Sequence, residues 1–189
     1  MGLSLEFVLK AIAAASALAG LFLGLAQYYR AQRWKMAEFA AKELEKLNND
    51  PLLSLACTLL DWEGRTFGVP ETYRYKSENS SFIHTWKILE KAMVPSITPD
   101  DGQDGFTEQE VMYRDIFDHL FTYLELMNHY VEIKLIRSDD ISILKYWFQQ
   151  IAGSELAHGK PIFQKFLQKF EYIGVNSLSK KLNVNPDNG

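Results

Sequence analysis

Few groups in this chain could do chemistry: one cysteine, Cys57, and four histidines, His84, His119, His129 and His158, set among 24 acidic residues. Glu155-Leu156-Ala157-His158 has the Glu-x-x-His spacing that places two ligands on one helical turn, as in di-iron bundles. A di-iron centre needs a second such pair and two further carboxylates, and this pair stands alone just before Gly159 and Pro161. Asp118, Glu125 and Glu132 recur every seven residues, with His129 one turn beyond Glu125. They share one side of a helix and would coordinate a divalent ion if that side faced inward. The apolar heptad of the same segment lies on another side, so an exposed charged face is the expected arrangement.

Asp100-Asp101-Gly102-Gln103-Asp104-Gly105 resembles the start of a calcium loop but fails at two ligands. Counting from Asp100, the third position is Gly102 and the twelfth, where a bidentate Glu is needed, is Val111. Cys57 lies in the apolar run Leu52 to Leu60 and is expected to be a buried small hydrophobe. No serine or cysteine stands in a nucleophile motif with a base. The sequence therefore assigns no catalytic residue, no metal site and no cofactor, and a non-enzyme is expected. The alternative is a metal-dependent or signalling enzyme using the carboxylate/His groups above.

The elements that position these groups begin with an anchor. Phe7 to Ala26 is apolar except for Lys10 and Ser16, and twenty helical residues span about 30 Å, the thickness of a bilayer's hydrocarbon core. Directly after it, Tyr28, Tyr29, Arg30, Arg33, Trp34 and Lys35 combine an aromatic belt with cations, the signature of a cytoplasmic interface. The expected protein is single-pass, with its N-terminus outside and its main domain cytoplasmic. The competing reading is a cleaved signal peptide, because Ala17-Leu18-Ala19 and Gly24-Leu25-Ala26 resemble cleavage sites, leaving an exported helical domain. The apolar length and the cations that follow weigh against it. Ser16, Gly20 and Gly24 recur every four residues and form a face on which a second helix could pack.

The expected organisation is a transmembrane anchor over 1–29, a helical bundle over 30–182 and a flexible tail over 183–189. Helical spacing continues from Arg33 to Leu47 and breaks at Asn48-Asn49-Asp50-Pro51, where Asp50 can cap a second helix begun by Pro51. A third helix is predicted from Ser81 to Met93, through Phe82, Trp86 and Leu89. A fourth opens with the capping box Thr107-Glu108-Gln109-Glu110 and runs to Arg137 through Tyr113, Phe117, Leu120, Leu124, Met127 and Val131. A fifth is capped by Ser138 or Asp139. A sixth starts at Pro161, turns Phe163, Phe166, Leu167 and Phe170 inward, and stops at Gly174. No strand is predicted, so the fold class is all-α, with about five to six helices in the bundle.

Gly64 to Ser80 forms a connection of seventeen residues where two to eight would be usual. Within it, Tyr73, Arg74, Tyr75 and Lys76 bring together the types enriched at protein contacts, and the competing reading packs this loop over the bundle. A net charge of −4 offers no field for a phosphate backbone, so nucleic acid is not an expected partner. The expected partners are the lipid bilayer and another membrane protein, or a second copy, meeting the N-terminal helix.

The stretch RWKMAEFAAKELEKLNNDPLLSLACTLLDWEGR, followed later by LFTYLELMNHYVEIKLIRSDDISILKYWFQQI, resembles bacterial proteins of the DUF4760 type. These share an aromatic-basic juxtamembrane helix, an Asn/Asp-Pro break and a helix ending in Asp-Trp-Glu. The resemblance spans most of residues 33–152. It implies a membrane anchor and helical architecture, and because that family has no established activity it transfers no catalytic residue.

Overall fold

The computed structural model describes residues 4–74, 79–96, 105–152 and 162–184. The chain divides into two compact units, Met1–Phe39 and Ala40–Gly189. The fold is all-α, with seven α-helices among the described residues. Helix α1, Leu5–Asn49, is 45 residues long, about 68 Å at 1.5 Å per residue. It ends where Pro51 disfavours helical geometry in the residue before it, and Asp50 is extended at φ −81°, ψ 118°. Asp50 Oδ1 then accepts the N–H groups of Leu52 at 2.8 Å and Leu53 at 3.1 Å, capping α2, Pro51–Asp61, as expected. Leu53, Ala56, Cys57, Leu59 and Leu60 of α2 are buried.

The long connection after α2 holds structure that the sequence pattern did not reveal. Strands β1, Thr66–Gly68, and β2, Ser81–Ile83, pair antiparallel with Phe67 opposite Phe82. Each strand buries only its central residue, and the two rings stack 5.7 Å apart. Three residues are too few to display a period of two, which is why Phe82 read as helical. Helix α3 starts later than expected, at Trp86, and runs to Ala92. Thr85 Oγ1 caps it by accepting the Ile88 N–H at 3.3 Å.

Helix α4, Glu108–Glu132, opens with the expected capping box: Thr107 Oγ1 accepts the Glu110 N–H and Glu110 Oε2 accepts the Thr107 N–H. It is the central member, packed by α2, by α3 and by a last helix, α7, Ile173–Lys181. Tyr113, Phe117, Leu120, Leu124 and Met127 are fully or almost fully buried, as their spacing requires. The helix stops at Glu132 rather than Arg137. There Lys134 turns left-handed at φ 59°, with Lys134 N–H bonded to Val131 O and Leu135 N–H to Tyr130 O. The predicted fifth helix divides into a 3-10 turn, Ser138–Ile141, and α5, Leu144–Ala152.

Helix α6, Ile162–Lys169, buries Phe163, Phe166 and Leu167, but Phe170 is 41% exposed rather than inward. The stop is Glu171, left-handed at φ 59°, and not Gly174. Gly174 lies inside α7, Ile173–Lys181, a helix the sequence reading missed. Three helices, α4, α6 and α7, end on this same double-bonded turn at Lys134, Glu171 and Asn183, none a glycine, so the usual sequence signal of the motif is missing. Of the expected tail 183–189, Asn183 and the buried Val184 complete the turn after α7.

Candidate functional site

In the first unit, the described side chains between residues 4 and 32 are all exposed. The apolar stretch of α1 is long enough to cross a membrane, and it is the one such helix among the described residues. Its two charges, Glu6 and Lys10, lie one turn apart and bond to one another at 2.5 Å, which lowers the cost of carrying them near an apolar phase. Ser16, Gly20 and Gly24 are exposed, and a Cβ added at either glycine would meet no atom within 4 Å. In the aromatic-cationic girdle, Tyr28 accepts a hydrogen bond from Gln32 Nε2 at 2.8 Å and lies edge-on to Tyr29. Trp34 is 76% exposed, and Arg30 and Lys35 are also exposed, while Arg33 is partly covered.

In the second unit the acidic line of α4 leaves Asp118, His129 and Glu132 exposed, as its charges suggested, with Glu125 half-buried. α7 lies along this line in the same direction. Tyr172 O–H donates to Asp118, the Val175 N–H donates to Glu125 Oε1 at 2.8 Å, and Lys181 Nζ donates to Glu132 at 3.2 Å and to Asn128 at 2.8 Å. Glu125 supplies the cap that α7 lacks, since Tyr172 at the N-cap position makes no side-chain cap bond. The approach is close because Gly174 has no side chain: a Cβ there would stand 2.5 Å from Glu125 Oε2. Bonds from Asn128 and Lys181 hold the Glu132 carboxyl below its usual range. Burial and the bond to Asp118 push the Tyr172 phenol up. The carboxylates of this line are thus engaged by α7, and His129 is exposed beside Tyr130. Among the described residues no three His, Cys, Asp or Glu side chains converge as a metal site would require. The Glu155/His158 pair and the Asp100–Asp104 loop lie outside the described residues.

Two further polar clusters had no sequence signal. Arg114 of α4 donates to three carbonyls beyond and at the end of α3: Ala92 at 2.7 Å, Val94 at 2.9 Å and Ser96 at 3.3 Å. Its guanidinium lies 4.5 Å from the Phe106 ring centre, 5.2 Å from Phe166 and 5.6 Å from Phe170. This clasp ties α3, α4 and α6 together. The second cluster is His84, wholly buried, whose Nδ1 lies 2.8 Å from the Tyr113 hydroxyl. Elsewhere His119 Nε2 meets Asp50 at 3.0 Å. Burial opposes ionisation of Asp50, but the His119 bond and the Leu53 and Leu52 N–H groups outweigh it and hold that carboxyl low.

Of the loop residues flagged as a contact, Tyr73 closes a short 3-10 turn, Glu71–Tyr73, and Arg74 Nε donates to the Val69 carbonyl at 3.4 Å. Tyr75 and Lys76 lie outside the described residues. Tyr73 lines a cleft of about 740 Å³ with Val69, Phe82, Ile88, Phe106 and Met112. Cys57 is buried, and desolvation pushes its thiol up to about 12, the opposite of what a nucleophile needs.

No family model matches the chain, and neither a curated protein nor a solved structure matches it.

Proposed function

We propose that this chain is a membrane-anchored helical interaction protein, an accessory subunit of a larger membrane assembly, without catalysis of its own. The observation that carries the reading is the apolar stretch of α1, every described side chain of which is exposed from residue 4 to 32. So large an apolar surface requires a cover, and a bilayer matches its length. The girdle of Arg30, Arg33 and Lys35 supports an N-terminus outside and a cytoplasmic helical domain. Ser16, Gly20 and Gly24 supply the side on which a partner helix, or a second copy, would approach.

The test is alkaline extraction of native membranes, followed by mild-detergent purification of the full chain beside a form lacking residues 1–29. The expected result is a chain that stays with the membrane and a stoichiometric partner that is lost with the helix. A partner retained by the shortened form would move the contact to the helical domain. A soluble chain, or one whose N-terminus is Gly20 or Gln27, would refute the anchor.

A further inference from the structure

His84 ends the β hairpin and precedes the Thr85 cap of α3. Its backbone closes the hairpin, with His84 N–H donating to Arg65 O at 3.0 Å and Gly64 N–H to His84 O at 2.9 Å. Its side chain crosses to α4. Gln109 Nε2 donates to the Ile83 carbonyl at 3.1 Å, which fixes that atom as the amide nitrogen, and it also donates to the Tyr113 oxygen at 3.2 Å. The Tyr113 hydroxyl is then free to donate to His84 Nδ1, so the neutral ring carries its proton on Nε2. Nε2 makes no hydrogen bond. The Leu59 carbonyl of α2 acts on the ring and favours its protonated form.

Around the ring stand Phe67 at 6.3 Å, Trp86 at 5.4 Å and Tyr113 at 5.5 Å, centre to centre, and no part of the residue reaches solvent. The carboxylate that acts on it is Glu63, from the turn after α2, which favours a charged ring. From the hairpin, the Arg65 guanidinium lies over Phe67 and Trp62. A proton added at Nδ1 would turn the acceptor of the Tyr113 bond into a donor and place a charge among aromatic rings.

We propose that His84 is an acid-sensitive latch: its neutral imidazole holds the hairpin against α4, and protonation releases the hairpin and uncovers Phe67 and Phe82 while the helical core stays folded. The release is local because, among the described residues, α4 holds the hairpin through the side-chain bonds of Gln109 to Ile83 and Tyr113 to His84 and the Phe82–Tyr113 ring contact at 5.7 Å, all close to the His84 ring. The core below it is made by Phe117, Phe121, Phe163 and Phe166 packing on one another, and the titratable groups against them, Tyr172 and Arg114, keep their charge state between pH 7.5 and pH 5.

Burial lowers the His84 pKa from its ordinary 6.5 to about 4, with Glu63 and the Leu59 carbonyl opposing. A released ring regains the ordinary value, so the closed hairpin is fully favoured above 6.5 and loses ground as pH falls towards 4. From these two values the open population rises roughly thirty-fold between pH 7.5 and pH 5.

The test is amide hydrogen exchange of the full chain in detergent micelles at both pH values, corrected for the intrinsic pH dependence of exchange. The expected result is that the hairpin amides of Val69 and His84 lose protection roughly thirty-fold while the middle of α4 is unchanged. Tyr113→Phe keeps the ring but removes the bond to Nδ1, and is expected to raise the open population already at pH 7.5. His84→Gln is expected to abolish the pH dependence. Loss of protection in α4 together with the hairpin, an open population at pH 7.5 unchanged in Tyr113→Phe, or pH dependence persisting in a folded His84→Gln would overturn the latch. A direct titration of the wild-type imidazole showing an ordinary pKa would do the same.

Discussion

Glu125 of α4 accepts the backbone N–H of Val175 at 2.8 Å, across fifty residues of sequence, and serves as the N-terminal cap of a helix that has none of its own. Its other oxygen occupies the space a side chain at position 174 would fill. One carboxylate thus explains both a capping residue far from its helix and a glycine within it.

These two residues should be energetically coupled. Glu125→Ala is expected to cost about 1 to 2 kcal/mol, the range for losing a helix cap. Gly174→Ala is expected to destabilise the wild type despite the better helix propensity of alanine, because the carboxylate must leave its cap to make room. In the Glu125→Ala background the same change should cost less, because the 2.5 Å contact with the carboxylate is gone and the 3.1 Å approach to Asn128 Nδ2 remains. A denaturant-melt double-mutant cycle measures this coupling, and additive effects would contradict the assigned contact.

Arg114 should tolerate no cation other than itself. Its planar fork meets three carbonyls at once while its faces lie against phenylalanine rings. Arg114→Lys supplies a point charge that cannot reproduce the fork, so a loss of about 2 kcal/mol is expected, approaching that of Arg114→Ala. Thermal melts of the two variants check it. A lysine variant as stable as wild type would mean that the charge alone matters.

Replacing Glu171 with glycine should stabilise the protein. Its left-handed backbone at φ 59° costs a residue with a Cβ about 1 to 2 kcal/mol, and the flexibility of glycine in the unfolded chain returns part of that gain. A net increase of about 0.5 to 1 kcal/mol is expected by chemical denaturation. Lys134→Gly should behave alike, since Lys134 occupies the same position in the turn that ends α4.

Cys57 should be unreactive towards thiol reagents in the folded protein up to pH 9 or so, because its thiol is buried and titrates at about 12. Labelling in step with global unfolding is the expected result. Fast labelling at neutral pH would show that α2 opens locally.

What the sequence determined by itself was whatever depends on neighbours along the chain. The apolar length of α1, the Asp50-Pro51 break and cap, the capping box at Thr107 and the buried side of α4 all rest on contacts within one to four residues or on helical period. Those interactions leave their mark as spacing, and they were read correctly. Only the tertiary structure could decide the rest. The strands at Phe67 and Phe82 are three residues long and exist because they pair with each other. The turns at Lys134 and Glu171 form without the glycine that would announce them. The acidic line Asp118, Glu125 and Glu132 reads as a solvated face, and Asp118 and Glu132 are exposed, but charge alone does not announce a partner. It became a docking surface because α7 brings a hydroxyl, a backbone N–H and a lysine to the same three positions, a coincidence set by packing and invisible to any local rule.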